Sequence, residues 1–438
     1  MKQDIILDFI KMEKRRLRDK IGLIPSENHM SDAVYKALGS ILSSKYSEGY
    51  AKRRYYEGNQ IIDEIELEAI ERIKKLFGVP YVNVQPYSGS PANSAIEFAL
   101  MNPGDTIMGL KLSSGGHLTH GHPKVTFSGK FFKSVQFGLD KNDRIDFGEV
   151  EKLAKKDKPK VIICGTTAYP FVLDFKKFRK IADMVGAFLV ADISHITGLV
   201  IGGEHPSPIK YCDVVMSTTH KTFRGPRGAM IMVTDRGLKR DPKLGTKINS
   251  AIIPGLQGGP HNATTAAIAI AAKEATTIKF RNYAKQIRVN ADALAAALMK
   301  KGIKLMGDGT DTHLMVLDLT PYSEGFGTQV AFALDVAGIY ANRNTIPNEP
   351  VNPFYPSGLR IGTPLVTTRG MKIREMKKIA DWIVRVIDYV KDYKLPEDKK
   401  NRRKFVREFK KKMVKDKYLL GIAKEVKEVA SKFPLFKE

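Results

Sequence analysis

The chain has 438 residues, 43% of them hydrophobic and 27% charged, with a formal net charge of +25. This length exceeds what one ordinary core needs, so a large domain with at least one smaller one is expected, and the balance of residue types excludes disordered and fibrous classes. The two cysteines, Cys164 and Cys212, lie in the apolar runs VIICG and YCDVV, which excludes a disulfide framework and points to reduced core thiols and a cytoplasmic location.

The start, MKQDIILDFIKMEKRR, places a charge every few residues and has no continuous apolar core, so it reads as an amphipathic helix rather than a signal peptide. No stretch is long and apolar enough to span a membrane. In YSGSPAN, residues 87–93, small residues lead into a predicted helix. Its first backbone N–H groups, with the hydroxyls of Ser88 and Ser90, suit a phosphate. In SSGGHLTHGH, residues 113–122, glycines allow a sharp bend, and the flat imidazole of His117 can lie over a planar ring. A metal site built on His117, His120 and His122 is not expected, because no carboxylate or thiol joins them at ligand spacing.

The middle of the chain carries short apolar runs of strand character: KVIICGT (160–166), AFLVADI (187–193), DVVMSTT (213–219) and AMIMVT (229–234). Near-continuous apolar strands alternating with polar segments predict a mostly parallel sheet covered on both faces, an α/β fold. Between the last two runs lies STTHKTFRGPRG (217–228), whose glycines and proline forbid a continuing helix. It sets Lys221 in a tight turn, as suits an amine that captures an aldehyde cofactor. Alone, such a residue is more often an ordinary loop lysine, since loops are usually polar. Asp192 tips the balance: it closes the run AFLVAD, and a carboxylate at a strand's C-terminal end faces the crevice where open α/β sheets bind ligands. A pyridoxal ring needs an anion beside its pyridine nitrogen, and Asp192 fits that requirement. His195 is in reach of the ring hydroxyl or of the substrate.

From Asn262 to Lys301 there is neither glycine nor proline and alanine is dense, which predicts one long helix or two abutting ones leaving the large domain near residue 280. HLMVLDL (313–319), GIYANRN (338–344) and GLRIGTP (358–364) read as strands, and residues 371–393 as an amphipathic helix. Together they predict a smaller α/β domain. The tail from Asp398 to Glu438 holds 15 basic and 6 acidic residues, with Phe405, Phe409 and Met413 at helical spacing. It reads as a surface helix with a solvated basic face, so nucleic acid is not expected as a partner.

The segments LIPSEN, KYSEGYAKRRYYEGN, VQPYSGSPAN, SSGGHLTHG, STTHKTFRGPRG, PGLQGGP and SGLRIGTP, in order from Leu23 to Pro364, together resemble the serine hydroxymethyltransferase family. The resemblance implies a fold-type I pyridoxal-phosphate enzyme, with a seven-stranded-type sheet in the large domain. The expected divisions are a helical arm over 1–45, a cofactor domain over 46–279 and a small C-terminal domain with the basic tail over 280–438. The reaction it implies moves the hydroxymethyl carbon of serine to a reduced pterin, tetrahydrofolate or tetrahydromethanopterin, leaving glycine. The chemical rival is a threonine-type aldolase that uses the same cofactor without a pterin.

Position by position, the resemblance makes Lys221 the Schiff-base lysine, Asp192 the partner of the pyridine nitrogen and His117 the ring-stacking group. Ser88, Gly89, Ser90 and His220 hold the phosphate, with Tyr46 and Gly259 from a neighbouring subunit. Thr167, Thr218 and Arg227 border the ring. Ser26, Tyr56 and His195 surround the substrate, Arg360 clamps its carboxylate, and Glu48 handles the proton of the serine hydroxyl. Tyr55, Leu118 and Asn348 match folate-side positions. The family further implies a homodimer or a dimer of dimers. Three departures stand out: Tyr87 where many members have histidine, no proline-glycine pair before Arg53, and Phe223-Arg224 in the lysine loop.

Overall fold

The structure is a computed structural model that describes residues 4–351 and 354–436. The first three residues of the amphipathic start and the last two of the basic tail lie outside them. The chain divides into two compact units, one of Met30–Lys285 and one of Met1–His29 with Gln286–Glu438. The division falls inside the helix Ile278–Lys300, and the first 29 residues cluster with the C-terminal part.

The unit Met30–Lys285 is built on seven strands: β1 (Tyr81–Asn83), β2 (Thr106–Leu110), β3 (Lys133–Phe137), β4 (Val161–Gly165), β5 (Phe188–Asp192), β6 (Val214–Thr218) and β7 (Ala229–Val233). Their order in the sheet is β1-β7-β6-β5-β4-β2-β3. From β6 to β3 every pairing is parallel, and β7 runs antiparallel to both β6 and β1. The reversal has a local cause. Residues 219–228 are too few to hold a crossover helix, so β7 must return beside β6 antiparallel, and the connection becomes a tight turn. Every residue of β4, β6 and β7 is buried, as a sheet covered on both faces requires. Val190, Val214 and Met216 have no exposed surface in this core. Each such side chain contributes about 1.5–3 kcal/mol relative to exposure.

The α/β architecture with a mostly parallel central sheet is as expected, and the four runs at 160–234 are strands. The alanine-rich stretch forms two helices, Asn262–Ala275 and Ile278–Lys300.

The other unit carries a four-stranded antiparallel sheet of β8 (Lys304–Leu305), β9 (Leu314–Asp318), β10 (Asn342–Asn344) and β11 (Gly358–Gly362), in the order β8-β9-β11-β10. The helix Ile373–Val390 lays Met376, Ile379, Ile383 and Val386 on its core. The predicted strand 338–344 is split at Ala341 into Ile339–Tyr340, which pairs with Ile21–Gly22, and β10. The tail forms helices Lys399–Met413 and Lys417–Ala430, with Phe409, Met413, Leu419, Ile422 and Val426 buried in the same core. Its apolar face is therefore used internally, and Lys400, Arg403, Lys404, Arg407 and Lys411 face outward. Among the described residues no helix is long and apolar enough to cross a membrane.

Candidate active site

The parallel strands β5 and β6 end side by side, with Asp192 opposite Met216 in register. Their last residues, Asp192 and Thr218, therefore sit at one edge of the sheet, the edge where ligands bind in this architecture. Asp192 is 7% exposed. Its Oδ1 accepts the Ser194 backbone N–H at 3.0 Å; its Oδ2 accepts His120 Nε2 at 2.9 Å and Asn93 Nδ2 at 3.0 Å. Burial pushes its pKa up, but the His120 hydrogen bond, then the charges of His120 and Lys221, outweigh burial and hold the carboxyl well below the usual range. The result is a buried, ionised carboxylate with all its proton donors fixed.

Beyond β6 the lysine turn is closed by its own backbone. Thr219 N–H reaches Gly228 O at 3.1 Å, Gly225 N–H reaches Thr219 O at 2.7 Å and Arg224 N–H reaches Lys221 O at 3.1 Å. Thr222 ties the turn to the segment that follows β5. Its hydroxyl donates to His195 O at 3.0 Å and accepts the Gly198 N–H at 2.9 Å. Phe223-Arg224, unusual for this loop, now has a physical reason. Phe223 is 1% exposed, and the Arg224 guanidinium lies over the Tyr283 ring 5.0 Å from its centre while Tyr283 Oη donates to Thr222 O at 3.3 Å. These contacts anchor the turn on either side of Lys221. His220 is pushed down to about 3, first by burial and then by the Lys221 and Arg227 charges, so it is neutral near physiological pH.

The helix Gly89–Leu100 begins against the end of β6, because a Cβ on Gly89 would stand 2.6 Å from Thr218 Cγ2. Only glycine permits that approach. Ser88 makes no side-chain cap bond to the helix, and Thr218 Oγ1 and His220 Nδ1 are buried with no hydrogen-bond partner among the described residues. A helix start with open N–H groups beside unsatisfied hydroxyl and imidazole atoms fits an anionic group such as a phosphate. The loop 113–122 brings His117 to the same region: its Nδ1 is 2.7 Å from Thr119 Oγ1, and Thr119 is 2.8 Å from Asn93 Nδ2. Thr167 is fixed beside this loop through its N–H to Gly115 O at 2.7 Å.

A second group in the same unit forms around Glu48. Tyr56 Oη donates to Glu48 Oε2 at 2.6 Å, which pushes the Tyr56 hydroxyl up, and Tyr46 Oη lies 3.4 Å from Oε1. Tyr46, expected to meet its phosphate from a neighbouring subunit together with Gly259, stands against Gly259 of its own chain: a Cβ there would be 3.0 Å from Tyr46 Cζ. Tyr87, at the position where histidine is usual, stacks on His261 with ring centres 4.2 Å apart and donates to Gly259 O at 2.7 Å. Tyr55 and Leu118 are exposed.

In the other unit Arg360 lies mid-strand in β11, 8% exposed, with Nη2 on Asn342 Oδ1 at 2.9 Å, and burial pushes its guanidinium down to about 10. Asn348 takes a left-handed backbone with φ 56°. Ser26 is half-buried and follows the buried Leu23 and Pro25.

Sequence reasoning missed three groups. His120 entered only as a metal-ligand alternative, whereas it is fully buried and binds Asp192. Asn93 was passed over inside its motif, though an asparagine within an alanine-rich helix is a signal that the side chain serves something other than the helix. Glu97 lies four residues on, 1% exposed, with neither carboxylate oxygen hydrogen-bonded among the described residues, and burial pushes it well above the usual range. Only its position on the inner face of the helix marks it.

The family model described as serine hydroxymethyltransferase matches residues 1–383. Curated relatives bearing that name include one from Acidothermus cellulolyticus, 56% identical over 86% of this chain and 87% of its own length. One from Sorangium cellulosum is 56% identical over 88% and 90%, and one from Campylobacter jejuni is 49% identical over 91% and 94%. The match runs through the buried carboxylate, the lysine turn and the glycine-led helix alike, and by it this chain belongs to the serine hydroxymethyltransferase family.

Proposed function

We propose that this chain binds pyridoxal phosphate at the end of β5 and β6 and transfers the hydroxymethyl carbon of serine to a reduced pterin, giving glycine. The observation that carries the reading is the carboxylate of Asp192, held ionised by three donors at the strand end, one strand from the turn that fixes Lys221. Ser88, Gly89, Ser90 and His220 would hold the phosphate, Lys221 the aldehyde, Asp192 the pyridine nitrogen and His117 the ring face, with Thr167, Thr218, His195 and Arg227 around it. When bound, pyridoxal phosphate is an electron sink for charge left on the substrate's α-carbon.

The protein's own part is to bind, aim and move protons. Arg360 presents a planar fork suited to the serine carboxylate, and its buried setting strengthens such a pair. Ser26 and Tyr56 border the amino acid. Glu48, whose carboxylate is already hydrogen-bonded to Tyr56, takes the proton of the serine hydroxyl as the carbon leaves, which is general-base work. Asp192 keeps a proton on the ring nitrogen because its own affinity for one is low. Tyr55, Leu118 and Asn348 line the pterin side. We assign the coenzyme to the unit Met30–Lys285, and take the enzyme to act in the cytoplasm as a homodimer or dimer of dimers in which Tyr46 and Gly259 serve a neighbouring copy. Glu48 and the LIPSEN and RRYYEGN segments favour the transferase over a threonine-type aldolase.

Substituting Lys221→Ala should abolish the coenzyme's protein-linked visible absorbance; an unchanged spectrum would defeat the assignment. Assays with tetrahydrofolate and tetrahydromethanopterin decide the carrier, and turnover of β-hydroxy amino acids indifferent to either would favour the aldolase.

A further inference from the structure

Asn93 sits just over one turn into the helix Gly89–Leu100 and is 1% exposed. Its amide nitrogen carries two hydrogens, and each has an acceptor: Asp192 Oδ2 at 3.0 Å and Thr119 Oγ1 at 2.8 Å. The orientation of the amide is fixed by chemistry, since the reverse would set its oxygen against an ionised carboxylate. Asn93 Oδ1 is buried with no hydrogen-bond partner among the described residues. The side chain is therefore placed for what its nitrogen does.

The consequence passes along the hydroxyl. Thr119 Oγ1 accepts from Asn93, so its single proton is free to point to His117 Nδ1, 2.7 Å away, and the Thr119 backbone N–H points to the same nitrogen at 3.2 Å. Nδ1 is then an acceptor and the ring proton of neutral His117 lies on Nε2. One amide thus fixes the rotamer of Asp192 and, through Thr119, the tautomer and tilt of His117. The same helix starts at the proposed phosphate cradle. Anchoring of all three coenzyme contacts in one rigid element is what a preorganised site requires.

We propose that Asn93 is a positioning residue that couples the ring-nitrogen partner Asp192 to the ring-stacking His117, with Thr119 as its relay. The proposal rests on the reading that pyridoxal phosphate binds here. Asn93→Leu keeps the volume and removes both donors; Thr119→Val removes only the arm to His117. In absorbance titrations with pyridoxal phosphate, Asn93→Leu should bind about tenfold more weakly or worse, the usual consequence of losing a hydrogen bond to a charged group. Its visible circular dichroism, which reports the tilt of the bound ring, should differ from the parent's, and a cooperative thermal transition without coenzyme shows that the variant is folded. Thr119→Val should hold affinity within about threefold and still alter the dichroism. Parent-like affinity and dichroism in Asn93→Leu overturn the coupling. Should Asn93→Leu fail to fold, an unchanged dichroism in Thr119→Val overturns it alone. A parent chain that takes up no pyridoxal phosphate sinks both the site and this proposal, whereas parent-like variants of a parent that binds sink only the latter.

Discussion

Gly165 ends β4 directly opposite Asp192 in the parallel register, and its missing side chain is what lets the carboxylate and His120 meet. A Cβ placed there would stand 2.7 Å from Asp192 Cβ, 2.8 Å from Asp192 O and 2.9 Å from His120 Cε1, where ordinary contact begins at 3.4 Å. Gly165→Ala must therefore displace its neighbours by about 0.7 Å, and one of them is backbone, so no rotamer change relieves it. Overpacking of this kind costs about 1–3 kcal/mol. The shift falls on hydrogen bonds of 2.9 Å and 3.0 Å to a buried charge, so coenzyme affinity should drop about tenfold to a hundredfold. The assay is thermal unfolding without coenzyme, followed by titration with pyridoxal phosphate. Gly421→Ala is the control: it lies in the helix Lys417–Ala430 with nothing within 4 Å, and should stabilise by about 0.5–1 kcal/mol. A Gly165→Ala protein that melts and binds like the parent would refute the account of how Asp192 and His120 are seated.

Glu97 has its proton affinity raised by burial, so the stability it permits is full below the usual glutamate range and is lost as pH rises towards its folded value. Glu97→Gln should therefore raise the melting temperature more at pH 9 than at pH 5, and parallel melting curves across that range would contradict this. Arg360→Lys keeps the charge and loses the planar fork, so KM for serine should rise about tenfold or more while coenzyme binding is retained; an unchanged KM would remove Arg360 from the carboxylate.

The strands at 160–234 were legible because a strand buried on both faces must be apolar along its whole length, and that pattern survives without any partner being known. Asp192 and Lys221 were legible for a related reason: a charged residue closing such a run, and an amine in a turn bounded by glycine and proline, are conspicuous against their neighbours. The two edge strands β1 and β3 were not, since Tyr81–Asn83 is three residues long and Lys133–Phe137 mixes exposed and buried positions. Short or edge strands owe their state to the strand beside them rather than to their own composition.

The partnerships inside the site lay further still from the sequence. His120 and Asp192 are 72 residues apart, and Asn93 and Asp192 are 99; nothing local ties them. By itself the sequence determined the strands at 160–234, the alanine-rich helical stretch, the turn that holds Lys221, and the motifs that place the chain in its family, because these follow from periodicity, backbone restriction and composition over a few residues. Only the tertiary structure decided that β7 lies antiparallel beside β6, that His120 serves Asp192, and that Glu97 is buried without a hydrogen-bond partner among the described residues. Those outcomes depend on which strand ends become neighbours, and hydrogen bonds act over about 3 Å in space, a distance that separation along the chain does not encode.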